Sequence, residues 1–287
     1  MDIVLGKTAG FCYGVKRAVE GAEKEVLNNK QIYALGEIVH NKDVVKKLEK
    51  DGVNFIENIE DAKEKVIIRA HGIPKEIYEK AEEKNLELID YTCPKVLKIH
   101  QIAEEYSKKG YCIFLLGAKK HPENIGTLSY CGKNKFVIEK ENDAIKALDF
   151  LEKIKVKKLL VIAQTTYSLE SFYIIEEIIK NELPRDIDLV VYNTICQATE
   201  IRQKETEDIA KKVNTMIIIG GKNSSNTKKL YNIASKYCEY VEWVENANEL
   251  KIDKIKGAKE IGIMAGASTP KESIDEVIKI VETCDEI

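Results

Sequence analysis

The chain has 287 residues, 44% of them hydrophobic and 32% charged, with a net charge of −3. That length supports one large core or two to three smaller ones, and the near balance of charge excludes a basic nucleic-acid footprint and an acidic disordered tail. No run approaches the ~18–20 apolar residues that cross a membrane, and the opening MDIVLGKTAGFC has no basic segment followed by a long apolar run, so neither a membrane partner nor an export signal is expected. The seven cysteines are odd in number and widely spaced. They fit reduced thiols in a cytoplasmic protein better than a disulfide scaffold.

In chain order, the first apolar run is Ile3-Val4-Leu5, and Cys12 then opens a segment with the helical spacing Val15, Ala18, Val19, Ala22, Val26. A short strand, Tyr33-Ala34-Leu35, closes at Gly36, and His40 follows four residues later. Next come Phe55-Ile56-Glu57, then Val66-Ile67-Ile68 leading into the turn Arg69-Ala70-His71-Gly72, then Leu88-Ile89-Asp90-Tyr91 leading into Cys93. From Cys93 the order repeats: Phe114-Leu115-Leu116 into Gly117, His121, Val137-Ile138-Glu139, Leu159–Ile162 into Ala163-Gln164-Thr165-Thr166, and Leu189-Val190-Val191-Tyr192 into Cys196. From Cys196 it repeats again: Ile217-Ile218-Ile219 into Gly220, Ser224, Trp243-Val244-Glu245, and a last turn, Ala265-Gly266-Ala267-Ser268. Apolar runs without polar alternation suit parallel strands buried on both faces, and their alternation with amphipathic segments predicts an α/β fold.

Each of the three cysteines stands 24 residues before its glycine: Cys12 and Gly36, Cys93 and Gly117, Cys196 and Gly220. Equal intervals with a polar residue in phase define an internal repeat. The third repeat has no fourth strand of its own downstream, so Ile3-Val4-Leu5 is expected to complete it. The expected architecture is three similar α/β units with parallel sheets in a pseudo-threefold trefoil. They would comprise residues 13–94, 95–193 and 194–287, the last completed by residues 1–12.

Functional groups of parallel α/β sheets gather beyond the carboxyl ends of the strands, where all of these residues fall. Pseudo-threefold packing would bring Cys12, Cys93 and Cys196 together near one axis. A structural zinc takes four ligands and a catalytic zinc can take three. A [4Fe–4S] cluster normally takes four thiolates, so three would leave one iron open to a substrate oxygen. Spacing alone leaves iron–sulfur, zinc and no metal all open. Around the cysteines, His40, His71, Ser224, Ser225, Asn226 and Ser268 form a donor-rich set suited to a phosphate or diphosphate. His121-Pro122-Glu123 pairs an imidazole with a carboxylate, and either could shuttle protons. Taken alone, Lys222–Asn226 reads equally well as a capped turn, and Glu123 reads more often as a solvated surface residue. His100 and Cys112, Cys131, Cys238 and Cys284 fall outside the repeat and read as packing or incidental residues.

The ordered segments Ala9–Val15, Glu37–Asn41, Ala70-His71-Gly72, Thr92-Cys93-Pro94, His121-Pro122-Glu123, Gln164-Thr165-Thr166, Thr194-Ile195-Cys196, Lys222–Asn226 and Ala265–Ser268 resemble the 4-hydroxy-3-methylbut-2-enyl diphosphate reductases, over essentially the whole chain. The family closes the methylerythritol phosphate route to isoprenoids. The resemblance implies a trefoil around one [4Fe–4S] cluster per chain, with Cys12, Cys93 and Cys196 as ligands. It implies reductive removal of an allylic hydroxyl, giving isopentenyl and dimethylallyl diphosphate. The small-molecule allylic diphosphate would be held by His40, His71, Ser224, Asn226 and Ser268, with Ser225 and His121 nearby. Glu123 would be the proton donor, aided by Thr165 and His121. No Gly-x-Gly-x-x-Gly run is present, so the electrons are expected from an external low-potential protein such as a ferredoxin or flavodoxin. Two positions depart from the family pattern: Lys120, where Gly is frequent, and Pro74, where a small polar residue is frequent. Both bear on loop shape. No appended RNA-binding domain is expected. Two rival readings use the same cysteines: an iron–sulfur hydro-lyase without net electron transfer, and a non-enzymatic iron–sulfur redox sensor.

Overall fold

A computed structural model describes residues 2–29 and 31–284. Its strands are β1 (Asp2–Leu5), β2 (Ile32–Leu35), β3 (Val53–Ile56), β4 (Lys65–Ile68), β5 (Glu87–Asp90), β6 (Cys112–Leu116), β7 (Lys135–Ile138), β8 (Lys158–Ala163), β9 (Asp188–Val191), β10 (Thr215–Ile219), β11 (Tyr240–Val244) and β12 (Glu260–Ala265). The helices are α1 (Tyr13–Asn28), α2 (Lys42–Asp51), α3 (Lys75–Glu83), α4 (Pro94–Lys108), α5 (Pro122–Tyr130), α6 (Asp143–Ile154), α7 (Leu169–Glu182), α8 (Gln197–Ala210), α9 (Ser225–Ala234), α10 (Ile252–Ile255) and α11 (Lys271–Thr283).

The strands form three four-stranded parallel sheets in the orders β3-β2-β4-β5, β7-β6-β8-β9 and β11-β10-β12-β1. Each reads second, first, third, fourth strand of its repeat, and β1 supplies the fourth strand of the last sheet, pairing Asp2–Leu5 with Glu260–Ile263. The α/β class and the parallel sheets are as expected. Successive strands leave the first strand on opposite sides, so the crevice at the switch point opens between the carboxyl ends of the first and third strands. The polar residues of the repeat lie on the connections there, and the three cysteines follow the fourth strands.

The chain forms two compact units. One comprises Met1–Glu23, Val39–Asp51 and Gln197–Ile287; the other comprises Lys24–Ile38 and Gly52–Cys196. In the second unit, β6 and β8 are buried on both faces. Phe114, Leu116 and Val161 pack with Ala144, Leu151, Phe172 and Ile175 on one side, and Ile113, Leu115, Leu160 and Ile162 pack with Ile99 and Ala103 on the other. That two-sided burial explains the unbroken apolar runs; each such side chain contributes roughly 1.5–3 kcal/mol. In the first unit β10 does the same, with Ile217 and Ile219 facing α11 and Met216 and Ile218 facing α8 and α9. No described helix is long and apolar enough to cross a membrane.

Candidate functional site

The backbone places the three cysteines identically. Each immediately precedes the first residue of a helix, α1, α4 or α8. Each donates its amide to a carbonyl two residues beyond a third strand: Cys12 to Ala267 at 3.1 Å, Cys93 to Ala70 at 3.0 Å, Cys196 to Thr165 at 2.9 Å. The glycines are equivalent as well. The amides of Gly36, Gly117 and Gly220 bond to the last residues of the neighbouring strands, Ile56 (2.8 Å), Ile138 (2.9 Å) and Val244 (2.8 Å). Cys12, Cys93 and Cys196 are half-buried and in no disulfide. Cys112 and Cys131 differ in kind, because burial pushes both thiols up to about 12. Cys284 is buried, and burial raises the Cys238 thiol too.

In the second unit the carboxyl ends of β6 and β8 build an acid. Glu123 lies in the first turn of α5 and is 2% exposed. Its Oε1 accepts the Thr165 amide at 2.6 Å and its Oε2 the Thr165 hydroxyl at 2.6 Å. Burial pushes the carboxyl up to about 7, against the opposing pull of the two Thr165 hydrogen bonds. It is thus poised to hold and release a proton at neutral pH. The support comes from the neighbouring residues. Asn124 donates to Gln164 Oε1 at 2.9 Å and to the Ala118 carbonyl at 2.8 Å, tying the start of α5 to the turn after β8. Only glycine at 117 leaves room: a Cβ there would lie 2.3 Å from Asn124 Nδ2 and 2.8 Å from Gln164 Oε1.

His121 is the N-cap of α5, and its Nδ1 accepts the Glu123 amide at 3.2 Å. A neutral His121 therefore carries its proton on Nε2. His71 stands edge-on to it, with ring centroids 5.3 Å apart. Behind the His71 turn, His100 is 3% exposed and stacks on Tyr130 at 4.5 Å, and burial lowers its imidazole to about 4. It is a packing residue, as its position off the repeat suggests.

The first unit carries the second polar group. Ser224 is the N-cap of α9, its hydroxyl accepting the Thr227 amide at 3.2 Å; Ser225 is the first residue of that helix. Asn226 is 3% exposed, yet neither its amide nitrogen nor its amide oxygen meets a protein partner. A buried amide left so costs a few kcal/mol unless a ligand completes it. Ser268 is buried on the turn after β12. The His40 carbonyl packs on Gly221, where a Cβ would lie 2.3 Å from its oxygen. Glu245, directly after β11, accepts the Lys222 amide at 2.9 Å and the Lys42 ammonium at 2.8 Å. His71, Cys93, His121, Glu123, Thr165 and Cys196 thus belong to one unit, and Cys12, His40, Ser224, Ser225, Asn226 and Ser268 to the other.

Sequence reasoning missed Asn124, Gln164 and Glu245. Their signal was positional. Asn124 stands seven residues after Gly117, as Thr227 does after Gly220, and Glu245 ends its strand as Glu139 does. Glu139 has the same role, accepting the Lys119 amide at 2.8 Å.

The LytB protein family matches residues 3–282. A curated 4-hydroxy-3-methylbut-2-enyl diphosphate reductase of Caldanaerobacter subterraneus subsp. tengcongensis is 43% identical over 99% of this chain and 97% of its own. The solved E-1-hydroxy-2-methyl-but-2-enyl-4-diphosphate reductase of Plasmodium falciparum superposes with a TM-score of 0.89 at 34% identity, over 97% of this chain and 87% of that one. A solved (E)-4-hydroxy-3-methyl-but-2-enyl diphosphate reductase, described as the terminal enzyme of the non-mevalonate pathway, gives 0.70 at 39% identity over 100% of both chains.

Proposed function

The chain belongs to the LytB protein family, and from that premise we propose that it removes the hydroxyl of 4-hydroxy-3-methylbut-2-enyl diphosphate reductively, giving isopentenyl and dimethylallyl diphosphate. The observation that carries this reading is the buried Glu123–Thr165 pair, whose acid is held near pH 7 and whose Thr165 carbonyl takes the Cys196 amide.

The thiols of Cys12, Cys93 and Cys196 fit an iron–sulfur centre: they are half-buried and stand at equivalent positions of the repeat, each directly before a helix, unlike the fully buried Cys112, Cys131 and Cys284. Cys12, Cys93 and Cys196 would hold one [4Fe–4S] cluster per chain, which would pass on, one at a time, the two electrons that an external low-potential protein such as a ferredoxin or flavodoxin provides. The diphosphate binds to His40, His71, Ser224, Asn226 and Ser268, with Ser225 and His121 beside them. The unmatched amide of Asn226 and the α9 N-terminus favour an anion there. Glu123 gives its proton to the departing hydroxyl, which leaves as water. The Thr165 hydroxyl, a donor to Glu123 when the carboxyl is ionised, turns to accept when it is protonated, so the pair keeps its hydrogen bond in either state. A second proton at carbon completes the balance: two electrons and two protons convert the alcohol to an alkene and water. His121 Nε2–H is the further donor near the acid.

The test is anaerobic purification with iron and sulfide analysis and a Mössbauer spectrum. Stoichiometric zinc in a colourless protein would end the reading, and turnover without reductant would favour a hydro-lyase. Glu123→Gln should keep substrate binding and lose turnover by about 10²–10⁴-fold; full activity would remove Glu123 from its role.

A further inference from the structure

The three cysteines follow fourth strands through loops of unequal length. β5 reaches Cys93 through Tyr91 and Thr92, β9 reaches Cys196 through Tyr192–Ile195, and β1 reaches Cys12 through Gly6–Phe11. The longest loop has the most backbone polar groups to satisfy and the most freedom to lose. Gly6 and Gly10 loosen it further, Gly10 at φ 102°.

We infer that Arg202 and Glu205 of α8 are positioning residues for Cys12, fixing the loop that presents its thiol; the inference rests on the assignment of Cys12 as a cluster ligand. Glu205 accepts the Lys7 amide at 2.7 Å, the Thr8 amide at 2.9 Å and the Thr8 hydroxyl at 2.5 Å. Arg202 Nη2 donates to the Gly10 carbonyl at 2.8 Å. Past Gly10, the Cys12 amide is held by Ala267 at 3.1 Å. Four side-chain bonds and one backbone bond thus hold the loop at Lys7, Thr8, Gly10 and Cys12. Burial works to raise the Glu205 carboxyl, but the Thr8 hydroxyl, the two amides and the Arg202 charge leave it below its ordinary value, an ionised acceptor at neutral pH.

The repeat makes the pair stand out. Arg202 lies six residues after Cys196 and Glu205 nine after it. The counterparts after Cys12 are Ala18 and Gly21, and after Cys93 they are Ile99 and Ile102. Ala18 and Ile99 are buried core residues, whereas Arg202 places a guanidinium, 4% exposed, at the same position. A buried cation is costly unless its charge and donors are matched. Arg202 meets the longest of the three loops at the Gly10 carbonyl, so the substitution in the repeat and the extra loop length explain each other.

The metal-free protein tests this without any cluster. Cys12, Cys93 and Cys196 are labelled with a maleimide, and the rate at each is read by peptide mass spectrometry. In Glu205→Ala and Arg202→Met the Cys12 rate should rise about tenfold, the effect of losing hydrogen bonds to a charged group, with Cys93 and Cys196 unchanged. Thr8→Val, which leaves α8 intact, should give a smaller rise at Cys12 alone, and Glu205→Gln, which keeps an acceptor oxygen, should recover part of the loss. After anaerobic reconstitution, a chelator should strip iron faster from Glu205→Ala than from the parent. An unchanged Cys12 rate, or an equal rise at all three thiols, would overturn the positioning role. Selective labelling in the variants together with a parent that takes up no iron or sulfide would instead sink the ligand assignment and leave the clamp standing.

Discussion

At the scale of single residues, the proton proposed for Glu123 also bears on stability. Its folded value of about 7 lies above the ordinary 4.5 because the carboxylate is desolvated. Between these values the folded chain holds a proton that the unfolded chain releases. The stabilisation is therefore complete below pH 4.5 and lost as the pH rises through 7, on the order of 3 kcal/mol in all. Denaturant titrations of the parent and Glu123→Gln from pH 4 to 8 should diverge through that window, the variant staying flatter; parallel curves would mean that the carboxyl titrates near its ordinary value. Thr165→Val separates the two hydrogen bonds. It removes the hydroxyl donor and leaves the amide, so the carboxyl loses an interaction that lowers it. The alkaline limb of the pH–rate profile should move to higher pH, with kcat reduced.

At the scale of elements, the connections after β10 and β11 hold the polar group of the first unit in register. Glu245 joins Lys42, two residues beyond His40, to the Lys222 amide at the head of the Ser224 loop, while Gly221 lets the His40 carbonyl come close. Gly221→Ala would put a carbon 2.3 Å from that oxygen, which is a backbone atom, so the loop must move. Inorganic pyrophosphate, assayed as a competitive inhibitor, should bind on the order of 10²-fold more weakly in this variant. Lys42→Met breaks the half-exposed ion pair to Glu245 and should cost much less. If Gly221→Ala binds pyrophosphate as the parent does, this register is not part of the diphosphate site. The glycines and caps of these connections were legible in the sequence, because they recur at fixed intervals. Glu245, Asn124 and Gln164 were not, since each is an ordinary polar residue until a partner distant in sequence gives it a role. Arg202 and Glu205 were hidden for the same reason: their partners lie in the Gly6–Phe11 loop, 192 to 198 residues away in sequence.

At the scale of the whole chain, one strand order occurs three times, and the last sheet is finished by the first strand of the sequence. The sequence could announce this because parallel strands buried on both faces leave apolar runs, and because the third repeat lacked a fourth strand of its own. The division into two compact units was not legible: α2 belongs with Gln197–Ile287, while β2 and β3, which it connects, belong with the other unit. That division is set by packing rather than by spacing. The closing strand is where repeat and site meet. Ile3 packs on the α11 side of its sheet and Val4 on the α8 side, so β1 is anchored through both faces and leads directly into the Cys12 loop. Ile3→Ala removes apolar contacts from a partly buried position and should cost about 1–2 kcal/mol, somewhat less than a full core truncation. Ile3→Asp puts a charge into the same cluster and should release the strand, exposing the edge of β12. The Gly6 amide, bonded to the Ile263 carbonyl at 2.9 Å, should then exchange with solvent, and Cys12 should label faster while Cys93 and Cys196 keep their rates. Hydrogen exchange read beside thiol labelling decides the matter: protection retained at Gly6 in Ile3→Asp would mean that the loop, rather than the strand, is what anchors the start of the chain.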